Sequence, residues 1–459
     1  MNGAIAAGHA LTAEAGARVL RAGGHAVDAA VAAAFVSWVC ESPLTGPGGG
    51  GFMLVHEAAG GRTSVLDFFV SVPRDAAPSP ELLELAVDFD GDTKQLFRTG
   101  PAAVAVPGTA KGLEAAHRRW GRLDWAELVA PAAALARAGV ELTAMQAYLH
   151  AILDPLLRHS PEGDAMYGRD GRAYREGEPF AIPQLGDTLD RLAAEGSSVL
   201  YTGELAARIS AHVPGVTAQD LAAYEPVVRD PVTTEYRGHE FRSNPPPSSG
   251  GTLIALGLRS LGDDDVTPAA IVEAMEAQEE ARLSPLKGTT HISVVDAEGN
   301  AASLSTSLGS GSGVVVPGTG IHLNNMLGEL DLVSNVQPGE RLTSMMAPSI
   351  VLRDGEPRLV IGSAGSARLR GAILQVVASV VARGLDVAAA VDAPRVHLEG
   401  DVVHCEDAAV ADELERAGRA VVRWRQRNLF FGGVSAVEVR GDEVGAAGDP
   451  RRGGASVVA

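Results

Sequence analysis

Residues 27–39 narrow the choice of fold more than any other segment, because they are almost all apolar and include long runs of Ala and Val. They predict a helix, and a helix that is apolar on every side has to lie inside a large core. A helix with one apolar face is predicted before it over residues 11–21, ending at Gly23-Gly24 as helices commonly do. Pro43 and the glycine-rich run 46–51 then end the helical region.

Predicted strands lie on both sides of a helix-rich middle, which indicates a fold of the mixed α+β class. The Pro-rich and Gly-rich segment 244–251 is predicted to be irregular, and Thr267-Pro268 is predicted to cap a helix that runs to about residue 282. The predicted strands cover residues 52–55, 63–69, 236–242 and 434–439 and the regions near Ile350 and Leu359, whereas helices are predicted over residues 113–209 and 369–383.

Residues 289–307, with the sequence TTHISVVDAEGNAASLSTS, show the clearest alternation in the chain. The odd-numbered residues from Thr289 to Ser293 are predicted on one face of a strand, opposite Ile292 and Val294. Residues 298–300 supply a turn, and Ser303, Ser305 and Ser307 are predicted on one face of the returning strand.

The composition argues against several classes of partner. A net charge of −19 disfavours nucleic acid or an anionic lipid surface, and no apolar run reaches the roughly 18 residues that a membrane span needs. Residues 1–17 lack the features of a signal peptide. Cys40 and Cys405 fit neither a disulfide framework nor a metal framework. We therefore expect a cytoplasmic protein with no metal or other cofactor.

Several short motifs suggest chemistry that their context does not support. Gly46-x-Gly48-x-x-Gly51 leaves a helix and enters a strand, whereas a phosphate site needs the opposite order. Asp88, Asp90 and Asp92 begin like a calcium loop, but Thr93 occupies the glycine position and no glutamate closes the loop. No serine lies in a G-x-S-x-G turn and no histidines form an HExxH pair, so a serine esterase and a zinc hydrolase are disfavoured.

The junction Gly288-Thr289, at the start of the alternating segment, is by itself a weak signal because threonine is common in strands. Loops of small residues at 48–51, 244–251 and 362–366 strengthen it. Successive unobstructed N–H groups in such turns can bind an oxyanion, although tight turn packing explains each loop equally well when it is taken alone.

Taken in order, these segments resemble the γ-glutamyltranspeptidase family of N-terminal nucleophile hydrolases nearly from end to end. The matching segments are AGGHAVDAAVAA, GPGGGGFMLV, AVPGTAKGLEAAHRRWG, LAAYEPVVRDPV, PPPSSGG, TTHISVVDAEGNA, GIHLNNMLGE, APSIVLRDG, IGSAGSARLRGAILQVV and DAPRVH. The resemblance implies a four-layer αββα sandwich made from a self-cleaved precursor. Residues 1–288 would form the large subunit and residues 289–459 the small one, together in one compact unit whose further dimerisation stays open.

The resemblance also implies a mechanism. The Thr289 hydroxyl would attack the Gly288 carbonyl and so release a new N-terminus, whose amine has an ordinary pKa of about 7.7–8.0 and can act as general base. The backbone N–H groups of Gly365 and Ser366 would form the oxyanion hole, and Ser307 would support the nucleophile. The substrate would be a γ-glutamyl or related acyl amide, and water or an amine would accept the acyl group.

The implied substrate pocket is where this sequence departs from the family. Phe69 stands where glutamyl-processing members carry an arginine that clamps the substrate carboxylate. The other matching positions are Ser344 and Met345 at the family's serine pair, and Gly309, Met326 and Glu329 at the positions that bind the substrate ammonium. Of these positions, Glu329 alone keeps an anionic partner. Losing the other partners costs several kcal/mol for a glutamyl group, roughly 1–3 kcal/mol per unpaired polar group, so the sequence predicts a less polar acyl group.

Two alternatives stay open at this point. Arg74 or Arg341 would restore the missing charge from a different position in the chain. An unprocessed, inactive relative that serves as a binding or scaffold protein would also explain the loss of polar residues in the pocket, although Gly288-Thr289 and Gly365-Ser366 favour an enzyme.

Overall fold

A computed structural model describes the chain over residues 1–74, 82–89, 93–213, 215–281, 289–328 and 336–459. Gly288 and Glu329, two of the predicted site residues, lie outside these ranges, as do Asp90 and Asp92 of the calcium-like segment. Within the described ranges, no helix is both long enough and apolar enough to cross a membrane.

The helices occupy the N-terminal region, the middle of the chain and the outer face of the second half. Those described are α1 (Ala10–Arg21), α2 (Ala26–Cys40), α3 (Thr109–Trp120), α4 (Trp125–Ala138), α5 (Ala144–Ile152), α6 (Asp154–Leu157), α7 (Pro161–Tyr167), α8 (Pro183–Glu195), α9 (Ser198–Tyr201), α10 (Glu204–His212), α11 (Ala218–Ala222), α12 (Gly250–Leu261), α13 (Pro268–Glu280), α14 (Leu369–Val381), α15 (Val387–Asp392) and α16 (Ala408–Arg416).

Two antiparallel sheets, with strands numbered in chain order, form the centre of the molecule. Among the described residues, the first sheet contains, in spatial order, β10 (Val227–Arg229), β3 (Arg62–Phe68), β2 (Gly50–Glu57), β14 (Ala301–Ser307), β13 (Thr290–Val295), β1 (Ala4–Ala7) and β24 (Ala455–Val458). The second contains β11 (Val232–Tyr236), β12 (His239–Ser243), β17 (Ser349–Arg353), β18 (Glu356–Ala364), β22 (Gly433–Arg440) and β23 (Glu443–Gly448).

The remaining described strands pair in small sheets at the periphery. They are β4 (Leu83–Phe89), β5 (Thr93–Thr99), β6 (Val140–Glu141), β7 (Gly168–Arg169), β8 (Arg172–Ala173), β9 (Pro179–Phe180), β15 (Val315–Val316), β16 (Ile321–His322), β19 (Val396–Glu399), β20 (Val402–Cys405) and β21 (Ala420–Arg423).

The two sheets pack face to face, and each carries helices on its outer side, which confirms the predicted αββα sandwich. Strands β13 and β14 lie over β18, and β1 lies over β22 and β23. Apolar side chains such as Leu54 and Ile350 fill part of the space between the sheets. Helices α1 and α2 cover the first sheet, while α12, α13 and α14 cover the second.

The predicted N-terminal helices are confirmed, and α2 is buried along its whole length. Its start is held by a capping box: the His25 side chain accepts a hydrogen bond from the Val27 N–H, and the His25 N–H donates to Asp28. Asp28 also accepts a hydrogen bond from the Arg122 N–H, which ties the loop after α3 to this helix. The buried carboxylate in the AVDAA motif therefore has a structural role.

Two local predictions are wrong, and one strand was not predicted. Residues 236–242 form parts of two strands, because Arg237 and Gly238 adopt φ values of 49° and 70° and make a tight turn. Gly250 and Gly251 begin α12 and do not continue the irregular segment, and a Cβ at Gly250 would lie 2.0 Å from the Met345 carbonyl oxygen. The C-terminal tail supplies β24, an edge strand of the first sheet.

Three fully buried histidines predict that the fold loses stability in acid. Burial lowers the pKa of His291 and His322 to about 3 and that of His150 to about 4. Because the unfolded chain takes up a proton near pH 6.5, stability is full above that pH and falls as the pH drops toward 4. The expected loss is about 1.4 kcal/mol per histidine per pH unit, measured by urea unfolding between pH 7 and 4.5.

His150 offers the sharpest variant for this test. Its two ring nitrogens have no hydrogen-bond partner among the described residues, and its ring lies edge-on to Phe180 with centroids 5.1 Å apart. His150→Phe is therefore expected to keep the packing and to reduce the acid slope by about one proton. An unchanged slope in this variant would contradict the assignment of His150 as a buried neutral group.

Candidate active site

Thr289 lies at the end of the first sheet, immediately before β13, and is 3% exposed. Strand β13 pairs with β14 so that Thr290 faces Thr306 and His291 faces Ser305. Continuing this register by one residue places Ser307 opposite Thr289. The Ser307 hydroxyl accepts a hydrogen bond of 2.8 Å from the Gly309 N–H, which fixes its position at the end of β14. The two hydroxyl residues predicted for catalysis are thus neighbours across two strands.

The buried carboxyl group of Glu41 lies beneath the start of β13. The Thr290 hydroxyl donates to Glu41 at 2.5 Å, and the Thr12 hydroxyl donates to the other carboxylate oxygen of Glu41 at 3.1 Å. Arg452 donates to the Thr289 carbonyl at 3.1 Å. Burial raises the pKa of the Glu41 carboxyl and lowers that of Arg452 to about 10, while the attraction between the two charges opposes both shifts. These contacts restrain the backbone on both sides of the Thr289–Thr290 peptide.

His291 connects the two sheets behind Thr289. Its Nδ1 lies 2.8 Å from the Ser305 hydroxyl and its Nε2 lies 3.0 Å from the Ser293 hydroxyl, which in turn donates to the Ser435 carbonyl in the second sheet. The ring lies so close to β18 that a Cβ at Gly362 would approach its Cε1 to 2.2 Å. The predicted polar face of β13 and β14 therefore points into the space between the sheets.

Gly365 and Ser366 form the turn that follows β18. Gly365 has a φ of 128°, and a Cβ there would lie 2.7 Å from the Gly432 Cα. Ser366 has a φ of 66°, which is uncommon for a residue with a side chain. Since Gly362 contacts His291, and Ala364 lines the same small cavity as Thr290, β18 runs toward the Thr289 end of the sandwich. The turn therefore lies at the same end of the sandwich as Thr289.

Three of the predicted pocket residues lie in the large hydrophobic core on the second-sheet side of the molecule, called here the apolar cluster. Phe69, Met326 and Met345 are each at most 2% exposed and pack in the same hydrophobic core. The Phe69 ring stacks on the Phe52 ring with centroids 5.3 Å apart and planes 21° apart. Phe52 pairs with Ser305 in the first sheet, so this cluster lies on the β2 and β3 side of Thr289.

Residues at and beside the other predicted pocket positions contact nearby backbone and side-chain groups in this structure. The Ser344 hydroxyl accepts a hydrogen bond of 3.0 Å from the Met346 N–H. Gly309 has a φ of 73°, and a Cβ there would lie 2.0 Å from the Asn325 side-chain oxygen. Asn324 is fully engaged with backbone groups, because it donates to the carbonyls of Gly48 and Ala105 and accepts from two N–H groups.

Of the two candidates for a replacement arginine, Arg341 already contacts other groups, whereas Arg74 is exposed. The Arg341 guanidinium donates to the Glu225 carbonyl, stacks 4.2 Å from the centroid of the Tyr224 ring and lies 3.6 Å from the buried Asp67 carboxylate. The Arg74 side chain packs against Gly339 in an exposed loop, where its backbone N–H donates to Asp220.

Comparison with known proteins decides the family. The sequence profile of γ-glutamyltranspeptidase matches residues 12–278 and 258–459. The chain belongs to this family. It is 31% identical to the glutathione hydrolase proenzyme of Pseudomonas aeruginosa, over 99% of this chain and 94% of that protein. It is also 30% identical to the acylase ACY 1 proenzyme of Pseudomonas sp. strain SE83, over 96% of this chain and 90% of that protein.

The solved structures agree with this membership. The crystal structure of cephalosporin acylase from Bacillus halodurans is similar to this chain with a TM-score of 0.85 and 26% identity, covering 99% of this chain and 95% of that one. This γ-glutamyltranspeptidase-family member is accordingly an N-terminal nucleophile hydrolase with amidohydrolase activity of the glutamyltransferase or acylase type. Its relatives are made as proenzymes, in agreement with subunits processed from one precursor that act on small molecules.

Two polar residues at the site of this family member escaped the sequence analysis. Glu41 follows an uncharged run over residues 29–40, and that abrupt change of polarity is the one signal it offers. Arg452 lies in an Arg-rich and Gly-rich tail without any distinguishing pattern. Their contacts with Thr290 and Thr289 span more than 160 residues of sequence, so only the folded sandwich brings them together.

Proposed function

We propose that this protein is a threonine amidohydrolase that cleaves itself between Gly288 and Thr289 and removes an acyl group less polar than γ-glutamyl from an amide. Its acylase and glutathione hydrolase relatives support the reaction class. The observation that carries the choice of acyl group is the stacked pair of Phe69 and Phe52 within the cluster that includes Met326 and Met345.

In the proposed reaction the Thr289 hydroxyl adds to the amide carbonyl while its own α-amine accepts the proton. The Gly365–Ser366 turn offers backbone N–H groups to the developing oxyanion. The C–N bond then breaks, and the amine leaves with the proton from the α-ammonium group. Water attacks the resulting ester and regenerates the Thr289 hydroxyl, or an amine acceptor takes the acyl group.

The apolar cluster disfavours a glutamyl head group for a simple physical reason. A carboxylate beside two phenyl rings loses its hydration and gains no ion pair, which costs several kcal/mol, roughly 1–3 for each group left unpaired. Alkyl or aryl acyl chains gain about 0.8 kcal/mol for each buried CH₂ group. Arg341 already lies 3.6 Å from the Asp67 carboxylate, which reduces its capacity to pair with a substrate carboxylate.

A matched series of p-nitroanilides tests the acyl preference. The γ-glutamyl compound carries both charges, the glutaryl compound lacks the ammonium group, and the valeryl compound lacks both. We expect kcat/KM for the valeryl compound to exceed that for the γ-glutamyl compound at least tenfold, which corresponds to about 1.4 kcal/mol. Phe69→Arg is expected to reverse this order, and a wild-type preference for γ-glutamyl would overturn the assignment of the pocket.

A further inference from the structure

The loop over residues 41–45, which follows α2, contacts both strands that carry the predicted catalytic hydroxyls. The Glu41 carboxylate accepts a hydrogen bond from the Thr290 hydroxyl at the start of β13. The Thr45 hydroxyl lies 2.8 Å from the Thr306 hydroxyl near the end of β14. Since Thr290 and Thr306 face each other across the two strands, the loop is bonded to both members of this pair.

The position of Glu41 is itself fixed by its surroundings. Its N–H donates to the Ser37 carbonyl in the last turn of α2 at 2.8 Å, and its carbonyl accepts from the Leu44 N–H at 2.9 Å. The side chain is 2% exposed, and a Cβ at Gly8 would lie 2.4 Å from the carboxylate oxygen that bonds Thr290. The Thr12 hydroxyl of α1 donates to the other oxygen. A carboxylate held in this way can restrain the strand that it contacts.

The start of β13 has a strand partner on one side only among the described pairings. Strand β14 pairs with β13 from Thr290 to Val295, whereas the pairing with β1 covers residues 293–295. Chain ends fray unless other contacts hold them. Cleavage before Thr289 would make this segment a chain end, and Glu41 bonds to it beyond the point where the pairing with β1 ends.

We infer that Glu41 is a positioning residue that anchors the N-terminus of the small subunit and so keeps the Thr289 hydroxyl in place for turnover. This inference rests on the proposed function, because only cleavage before Thr289 turns the start of β13 into a chain end. In the uncut chain the peptide bond to Gly288 also restrains Thr289, so the anchor contributes more to turnover than to self-cleavage. Displacing a reacting group by about 1 Å lowers a rate on the order of 100-fold, which sets the scale of the expected effects.

Two threonine-to-valine variants test the anchor, because each removes one of the two hydroxyls that donate to Glu41. Both leave the buried carboxylate one hydrogen bond short, so a purely structural role predicts similar effects. We expect Thr290→Val to lower kcat for valeryl p-nitroanilide at least about tenfold and to change KM by less than about threefold, since the position of the nucleophile is lost and binding is not. Thr12→Val is the matched control and should change neither constant by more than about twofold. Equal losses of kcat in the two variants would overturn the inference.

Variants of Glu41 show whether Thr290 acts through this carboxylate. Glu41→Leu removes the acceptor, and Thr290→Val should then lower kcat by less than about twofold further. Glu41→Gln keeps an oxygen that can accept from Thr290 and should recover at least about a third of the wild-type kcat. A full loss from Thr290→Val in the Glu41→Leu background would show that Thr290 acts without Glu41 and would contradict the inference. If Glu41→Leu does not fold, the comparison of Thr290→Val with Thr12→Val still decides.

Amide hydrogen exchange at the start of β13 distinguishes failure of the anchor from failure of the proposed reaction. The peptide over residues 289–295 should exchange at least about tenfold faster in Thr290→Val than in the wild type, and at an unchanged rate in Thr12→Val. A wild-type protein that stays uncut or hydrolyses no anilide refutes the proposed function, yet this exchange pattern would still show that Glu41 restrains β13. A protein that is cut and active but exchanges equally fast in all three forms refutes the anchor alone.

Discussion

Thr289→Ala is expected to give a single chain of 47.3 kDa with amidase activity reduced by about 10⁴-fold or more. The variant lacks the hydroxyl that is proposed to attack both the Gly288 carbonyl and the substrate amide, so cleavage and turnover should fail together. Intact mass under denaturing conditions measures the first effect, and hydrolysis of the valeryl anilide measures the second. Two chains from this variant would refute the proposed self-cleavage.

Thr289→Ser is the matched control, because it keeps the hydroxyl and removes only a methyl group. It should still yield two chains, with an N-terminal serine at residue 289 in the smaller one. Cleavage of the wild-type protein distinguishes an amidohydrolase from an unprocessed binding protein. A wild-type chain that stays uncut for days near neutral pH would favour an unprocessed binding protein over an enzyme.

Gly362→Ala is expected to lower the free energy of unfolding by about 2–4 kcal/mol and to impair cleavage of the chain. The added Cβ would lie 2.2 Å from the Cε1 of His291, and that ring cannot retreat because its two nitrogens bond to Ser305 and Ser293. Displacing β18 would also move the Gly365–Ser366 turn relative to Thr289. Urea unfolding and intact mass measure the two effects.

A double variant separates this clash from a general effect of alanine. His291→Ala removes the ring, so that Gly362→Ala should cost much less in that background than in the wild type. Gly60→Ala is the neutral control, since no atom lies within 4 Å of a Cβ at that position and the change should stay within about 0.5 kcal/mol. Additive effects of Gly362→Ala and His291→Ala would show that the close contact is relieved in solution.

Local sequence patterns predicted much of the architecture because they record burial and turns directly. The apolar run of α2 reflects contact with the core on every side of the helix. The alternation in β13 and β14 reflects contact between one face of these strands and the facing sheet. The hairpin at Arg237 and Gly238 was missed because Gly238 was taken as part of one strand, whereas it and Arg237 both adopt positive φ values and reverse the chain. The edge strand β24 was missed because it is only four residues long and follows two arginines and two glycines.

The site was harder to predict where a role depends on distant partners. The family resemblance identified Thr289, Ser307, Gly365 and Ser366, and the structure places the two hydroxyl residues opposite each other and the turn at the same end of the sandwich. The resemblance did not identify Glu41 or Arg452. The chemical states of these two groups depend on burial and on charges from other parts of the chain, which no local pattern encodes.

Strands from both sides of residue 289 alternate in the first sheet, which affects whether the cleaved protein could refold. Strand β13, which would begin the small subunit, lies between β14 of its own segment and β1 of the other. The first sheet also receives β24 from the far C-terminus, beside β1. A scission before Thr289 would therefore change the connectivity and leave every backbone ladder in place. Once cut and unfolded, however, the two pieces would have to find each other again as separate molecules, so maturation would make folding a one-time event.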